Sequence, residues 1–224
     1  MNSPIKLVVG LGNPGREYEQ TRHNAGFWWV EALAREWSAK FKKENKFHGE
    51  VAKVGAVWLL KPQTFMNKSG QSVGALAKFY QILPAEILVA HDEMDLPPGG
   101  LKMKIGGAAG SNGVKDIVGH LGTREFWRLR IGIGHPREMA EKLGGDINDM
   151  TRDEVVDYVL HRPDKNDERA IEDAMQRATD VWTLIAEGDM EAAMLKLHTK
   201  VKPASHTEAE KTNAGQPGQK KESP

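Results

Sequence analysis

Short β-branched runs, amphipathic helical patterns between them, and the regular alternation of the two along the chain predict an α/β fold. Residues 5–9 open it as a buried strand that runs into glycines. From Asn24 the period changes: Phe27, Val30, Leu33, Ala34 and Trp37 recur at three and four, which predicts a helix that Asn24 could cap. Residues 50–54 and 56–60 read as two strands of a hairpin, with Gly55 supplying the turn. A second helix follows Asn67, with Val73, Leu76, Ala77 and Tyr80 on one face and Pro84 as its stop. Residues 87–90 form the next strand, which delivers His91, Asp92, Glu93 and Asp95 at its carboxyl end, where α/β sheets hold their ligands. Beyond the turn at 96–100 come a strand at 101–105, a glycine-rich loop, a helix at 114–121 and a strand at 126–133. Residues 135–151 are irregular and charged, a candidate flap; helices are expected at 167–187 and 189–197. From Val201 the chain is polar, rich in Pro, Gly, Lys and Glu, and expected to be a disordered tail, 201–224.

Composition removes several function classes. The 224 residues carry 31 basic and 31 acidic side chains, so any contact with a polyanion must be a local patch made by folding. With no cysteine, disulfides and thiolate metal sites are excluded. No apolar run approaches the about 20 residues of a membrane helix, and the opening MNSPIKLVVGLGNPG has no stretch of signal-peptide length. A cytoplasmic protein with no membrane partner is the expectation.

Gly10-Leu11-Gly12-Asn13-Pro14-Gly15 matches GxGxxG after a strand, but its context is wrong for a dinucleotide. Such a fingerprint enters a helix at once and has an acid about twenty residues on at a second strand's end. Here Pro14 and Tyr18 keep the chain in a loop, and Glu31 and Glu36 fall in a helix. His23 stands where that loop meets the helix. A loop histidine is most often merely solvated; a catalytic one needs an acid to orient it and amide donors around it. Asp92 is a suitable acid, and Asn13, Asn67 and Asn112 all lie in loops at element ends. The run from His91 to Asp95 competes as a metal site, although alternation along a strand turns Asp92 away from His91 and Glu93. The loop GGAAGSNG, 106–113, lacks the Gly-Lys-Ser/Thr ending of a nucleotide P-loop. Lys102 and Lys104 on one strand, and Arg128 and Arg130 on another, each face one way and suit either phosphate contact or plain solvation.

Taken in order, VGLGNPGREYEQTRHNAGF, LLKPQTFMNKSGQSV, VAHDEMDLPPG, SNGVKDI and RLRIGIGHP resemble the successive signature blocks of bacterial peptidyl-tRNA hydrolases. The resemblance implies a single α/β domain, 1–200, built on a mixed, mostly parallel central sheet flanked by helices. It implies an enzyme that hydrolyses the ester between peptide and tRNA, acting as a monomer on peptidyl-tRNA at the tRNA acceptor end, without metal or other cofactor. His23 matches the family's catalytic base and Asp92 its acid partner. Asn13, Asn67 and Asn112 match the amides that hold peptide and water, and Tyr18 the aromatic that stacks at the tRNA end. Met66 matches a residue lining the peptide cleft, and Arg130 a basic residue set against the tRNA. No acyl-enzyme is needed, and no GxSxG elbow is present to form one.

The chain departs from the family at two places. Many members carry GGHGGHNG where this chain has GGAAGSNG, so Ala108 and Ser111 stand in place of both imidazoles. The family's lysine after the GHP block has no clear equivalent, Arg137 and Lys142 lying in an expanded segment. The altered glycine loop is what favours the alternative of a catalytically weakened tRNA- or RNA-binding homologue.

Overall fold

The computed structural model describes residues 3–107, 110–137 and 151–198. Seven strands form one sheet: β1 (Leu7–Gly10), β2 (Lys42–Glu44), β3 (Gly49–Val54), β4 (Val57–Pro62), β5 (Ile87–Glu93), β6 (Leu101–Ile105) and β7 (Trp127–Gly132), in the order β2-β3-β4-β1-β5-β7-β6. The four central strands β4, β1, β5 and β7 run parallel, and antiparallel strands close both edges, so the mixed sheet stands as expected. The described helices are α1 (Ala25–Glu36), α2 (Ser69–Phe79), α3 (Asn112–Leu121), α4 (Arg152–Val159), α5 (Lys165–Asp180), α6 (Trp182–Glu187) and α7 (Met190–His198).

Central strands buried on both faces must be apolar there, and β1 and the first four residues of β5, 87–90, are. Val8, Leu88, Ala90, Leu129 and Ile131 face a core shared with Trp29, Val30 and Leu33 of α1 and Ile171 and Ala178 of α5. Leu7, Val9, Ile87 and Val89 face the other way, against Val73 and Leu76 of α2 and Val114 and Ile117 of α3. Helix α1 lies unusually close to the sheet because two glycines meet there. A Cβ on Gly26 would stand 2.3 Å from the Ala90 carbonyl oxygen, and one on Gly10 2.4 Å from that of Gly26. Those two positions set the height of α1 over β1 and β5, and with it the height of the turn that precedes α1.

Several elements differ from expectation. Trp37 sits at the C-cap of α1 and is 51% exposed, while Trp29, about two turns earlier, is fully buried. Tyr80 likewise falls just beyond α2, where it stacks on Trp58 of β4 at 4.6 Å. The helix expected over 167–187 breaks at Val181, so that Trp182 and Ile185 turn into the core. Strand β2, too short and charged to read as a strand, forms because β3 offers it an open edge. At the opposite edge the Met103 N–H of β6 donates to His198 Nε2 of α7, which covers that edge. Among the described residues no helix is long and apolar enough to cross a membrane. The expected tail, Ala108 and all of the candidate flap between 138 and 150 lie outside the described residues.

Candidate active site

The carboxyl ends of parallel strands are where α/β sheets hold their ligands, and the loops leaving β1, β4 and β5 at those ends carry the candidate residues. After β1 the chain continues against β5, the Leu11 N–H donating to the Ala90 carbonyl at 2.9 Å. Asn13 is then held on every side. Its N–H donates to Asn24 Oδ1 at 2.8 Å, the Asn24 Nδ2 donates back to its carbonyl at 3.0 Å, and its Oδ1 accepts from the Met66 N–H at 2.8 Å. Committing Oδ1 in this way leaves Asn13 Nδ2 as the end able to donate to a substrate. Asn24 therefore does not cap α1 as the sequence suggested: its side chain makes no cap hydrogen bond and pins the Asn13 loop instead.

His23 occupies a single 3-10 turn, Arg22–Asn24, directly before α1. Its Nδ1 lies 2.8 Å from Asp92 Oδ2, at the end of β5. A carboxylate can only accept, so Nδ1 carries the proton and Nε2 keeps the lone pair. Burial works against the imidazolium, but the charge and hydrogen bond of Asp92 outweigh it and raise His23 above the ordinary histidine value of 6.5. Asp92 is buried at 7% exposure.

His91, its neighbour, points to the other face of the sheet. Its Nδ1–H donates to the Asp92 carbonyl at 2.7 Å, and burial lowers its pKa so that it stays neutral. Glu93 is taken by Arg130, whose Nε donates to its carboxylate at 2.7 Å. Burial alone would raise that carboxyl, but Arg130 holds it below the usual range. The run from His91 to Asp95 is thus divided between two faces and two partners, and among the described residues no group of three or more His, Asp or Glu is placed to hold a metal.

Met66 and Asn67 belong to a 3-10 turn, Met66–Lys68, that leads into α2; Met66 is buried and Asn67 exposed. Asn112 is the exposed first residue of α3. A Cβ on Gly113 would stand 2.5 Å from Met66 Sδ and 2.9 Å from Leu11 Cδ1, so the start of α3 abuts the Asn13–Met66 wall. Asn13 and Met66 are therefore joined directly, and Asn67 and Asn112 are the exposed residues next in the chain to Met66 and Gly113 at that contact. Tyr18 is half-buried in the turn before His23, its carbonyl accepting from both the N–H and the hydroxyl of Thr21. Ser111 precedes α3 with a buried hydroxyl that has no hydrogen-bond partner among the described residues.

The basic pairs combine across strands. In the antiparallel pairing of β6 with β7, Lys102 stands opposite Arg130 and Lys104 opposite Arg128, so all four point to one face of the sheet, the face of His91 and Glu93. Burial and the crowding of like charges lower both Lys104 and Arg128 from their ordinary values. A bound anion would relieve that crowding. The glycine loop passes directly above: a Cβ on Gly107 would stand 3.0 Å from Arg128 Nη2 and 3.2 Å from Lys104 Nζ. Sequence periodicity found each pair; only strand register could join them.

Two residues whose site roles the sequence does not single out enter here: Asn24, which reads in sequence as a helix cap, and Glu93, which reads as part of a carboxylate run. A hydrogen bond between residues distant in the chain leaves no periodic signal, so nothing in the pattern could have assigned them.

The chain resembles known proteins over nearly all of its described length. A sequence model of the family described as "Peptidyl-tRNA hydrolase" matches residues 7–205. The peptidyl-tRNA hydrolase of Cupriavidus pinatubonensis is 54% identical over 200 residues, covering 87% of this chain and 98% of that one. That of Thiobacillus denitrificans is 53% identical over 204 residues, covering 91% and 94%. Among solved structures, a peptidyl-tRNA hydrolase in complex with n-propanol superposes with a TM-score of 0.79 at 44% identity, covering 89% of this chain and 97% of that one. The Acinetobacter baumannii peptidyl-tRNA hydrolase gives 0.78 at 43% identity, covering 87% and 95%.

Proposed function

The chain belongs to the peptidyl-tRNA hydrolase family, and from that premise we propose how its own residues carry the reaction. It is an enzyme, and it hydrolyses peptidyl-tRNA. His23 acts as the general base. With Nδ1–H committed to Asp92, Nε2 removes a proton from a water molecule, and the hydroxide attacks the ester carbonyl that joins the peptide to the tRNA. Asparagine amides steady the negative oxygen of the tetrahedral intermediate, with Asn13 Nδ2 the donor that its own hydrogen bonds have already oriented. The imidazolium then returns its proton to the departing ribose oxygen, releasing the peptide acid and the tRNA. Asn67 and Asn112 hold peptide and water, Met66 lines the peptide cleft, Tyr18 stacks at the tRNA end, and Arg130 meets a tRNA phosphate.

The observation that carries this is the 2.8 Å hydrogen bond between His23 and Asp92 at the carboxyl end of β5. General base catalysis supplies about 10²–10⁴-fold, and a single oxyanion donor a further ~10²–10³-fold. We further propose that the enzyme works as a monomer, without a metal, in the cytoplasm, because its substrate is an intermediate of translation.

The test is release of the blocked amino acid from N-acetyl-aminoacyl-tRNA, with free aminoacyl-tRNA as control and a chelator present. Wild type cleaves the blocked substrate selectively, and His23→Ala, folded and still binding tRNA, loses about 10²–10⁴-fold. A His23→Ala variant at full rate sinks the base assignment. A folded wild type with no turnover would instead point to the altered loop around Ser111 and a chain that only binds tRNA.

A further inference from the structure

Arg22 precedes the base by one residue, yet its side chain runs the other way, into the interior, where it is 3% exposed. Removing a guanidinium from water is costly unless its donors are satisfied, and an apolar side chain of similar size would fill the same space without that cost. What a guanidinium supplies is a flat face for an aromatic ring together with two terminal nitrogens aimed at different partners, and Arg22 uses both. Its Nη1 donates to the carbonyls of Arg162, His161 and Tyr158 at 2.9, 3.3 and 3.4 Å. Its Nη2 lies 3.6 Å from Asp167 Oδ2 on α5, and the guanidinium stacks over the Tyr158 ring at 4.2 Å. The Arg22 backbone N–H also donates to the His161 carbonyl, at 3.1 Å. These carbonyls close the C-terminal end of α4, where the helix dipole is negative and favours a cation.

From there the contacts return to the sheet. The Tyr158 hydroxyl donates to the Ile133 carbonyl at 2.7 Å, just past the end of β7. The Ile133 N–H donates to the Glu93 carbonyl, and Ile131 pairs in register with Asp92. Both partners of the His23–Asp92 hydrogen bond are therefore referenced to the same pair of strands: Asp92 directly, and His23 through Arg22, Tyr158 and Ile133. We propose that Arg22 is a positioning residue for the catalytic base, holding the 3-10 turn against α4 so that His23 Nδ1 meets Asp92. It touches no substrate and acts only through His23.

This rests on His23 being the base, and the experiment separates the two claims. Arg22→Met keeps the bulk and loses the guanidinium; Arg22→Lys keeps the charge but loses the planar stacking on Tyr158 and the second nitrogen facing Asp167, and decides the matter where Arg22→Met fails to fold. For each variant, kcat and KM are measured on N-acetyl-aminoacyl-tRNA, and the His23 imidazole pKa is read by NMR, with His23→Ala in parallel. Displacing a catalytic group by about 1 Å costs ~10²-fold. The expected result is a loss of that order in kcat for Arg22→Met, a smaller loss for Arg22→Lys, little change in KM, and a His23 pKa that falls back toward 6.5 as its contact with Asp92 loosens. A merely structural role would lower thermal stability and leave that pKa alone. If His23→Ala is inactive while folded Arg22 variants keep wild-type kcat and His23 pKa, the positioning role is wrong; if His23→Ala is active, the base assignment fails first.

Discussion

His23 works only when neutral, so the pH dependence of hydrolysis reports its environment. Asp92 raises the His23 pKa by stabilising the imidazolium. The active, deprotonated form is therefore gained as pH rises through that raised value, and the acid limb of kcat/KM is expected above 6.5. Asp92→Asn removes the charge, and the sign reverses: the limb moves to lower pH even as the rate falls, because an amide cannot favour the imidazolium as a carboxylate does. A pH–rate profile of the two proteins checks this, and an unmoved limb would mean that another group controls the rate. The neighbours of His23 divide the mechanical work. Asn24 fastens the Asn13 loop on one side, and Arg22 fastens the turn to α4 on the other.

At the scale of elements, the site depends on how closely α1 approaches the sheet. The Gly10–Gly26 contact allows backbone to meet backbone, and the turn carrying His23 is continuous with α1. Gly26→Ala would force its methyl into the Ala90 carbonyl and the Leu11 backbone, which cannot yield as a flexible side chain would. Overpacking of this kind costs about 1–3 kcal/mol, seen as a lower Tm. Because the displacement lifts α1 off β5, activity per folded molecule is expected to fall as well; a Tm loss with unchanged kcat would show that the turn is held independently of α1. The glycines that imitate a dinucleotide fingerprint thus have a structural reason of their own, which is helix-to-strand packing.

Across the whole molecule, a formal charge of zero coexists with a ladder of four cations on β6 and β7, balanced locally by Glu93. Substrate binding is therefore expected to weaken with salt through a few phosphates only. Arg130→Gln should raise KM with little effect on kcat and flatten the plot of log KM against log salt by about one phosphate's worth, a slope change of roughly 0.7–0.9. An unchanged slope would remove Arg130 from the tRNA contact. The elements legible in the sequence were those with a strong local period: the buried strands β1 and β5, the apolar faces of α1 and α2, the β3–β4 hairpin turned at Gly55, and the helix-forming stretch of α5. Strand β2 and the break at Val181 were not, because an open sheet edge and the need to bury Trp182 arise only once the sheet exists. The same division runs through the site. His23, Asp92 and the three asparagines could be named from residue type, loop position and the order of the signature blocks, since chemistry of this kind restricts which side chains will serve. That Nδ1 of His23 faces Asp92, that Asn24 holds Asn13, that four basic side chains form one ladder and that Arg22 turns inward were decided by tertiary structure alone, because each is a contact between segments whose separation along the chain carries no period for a sequence to display.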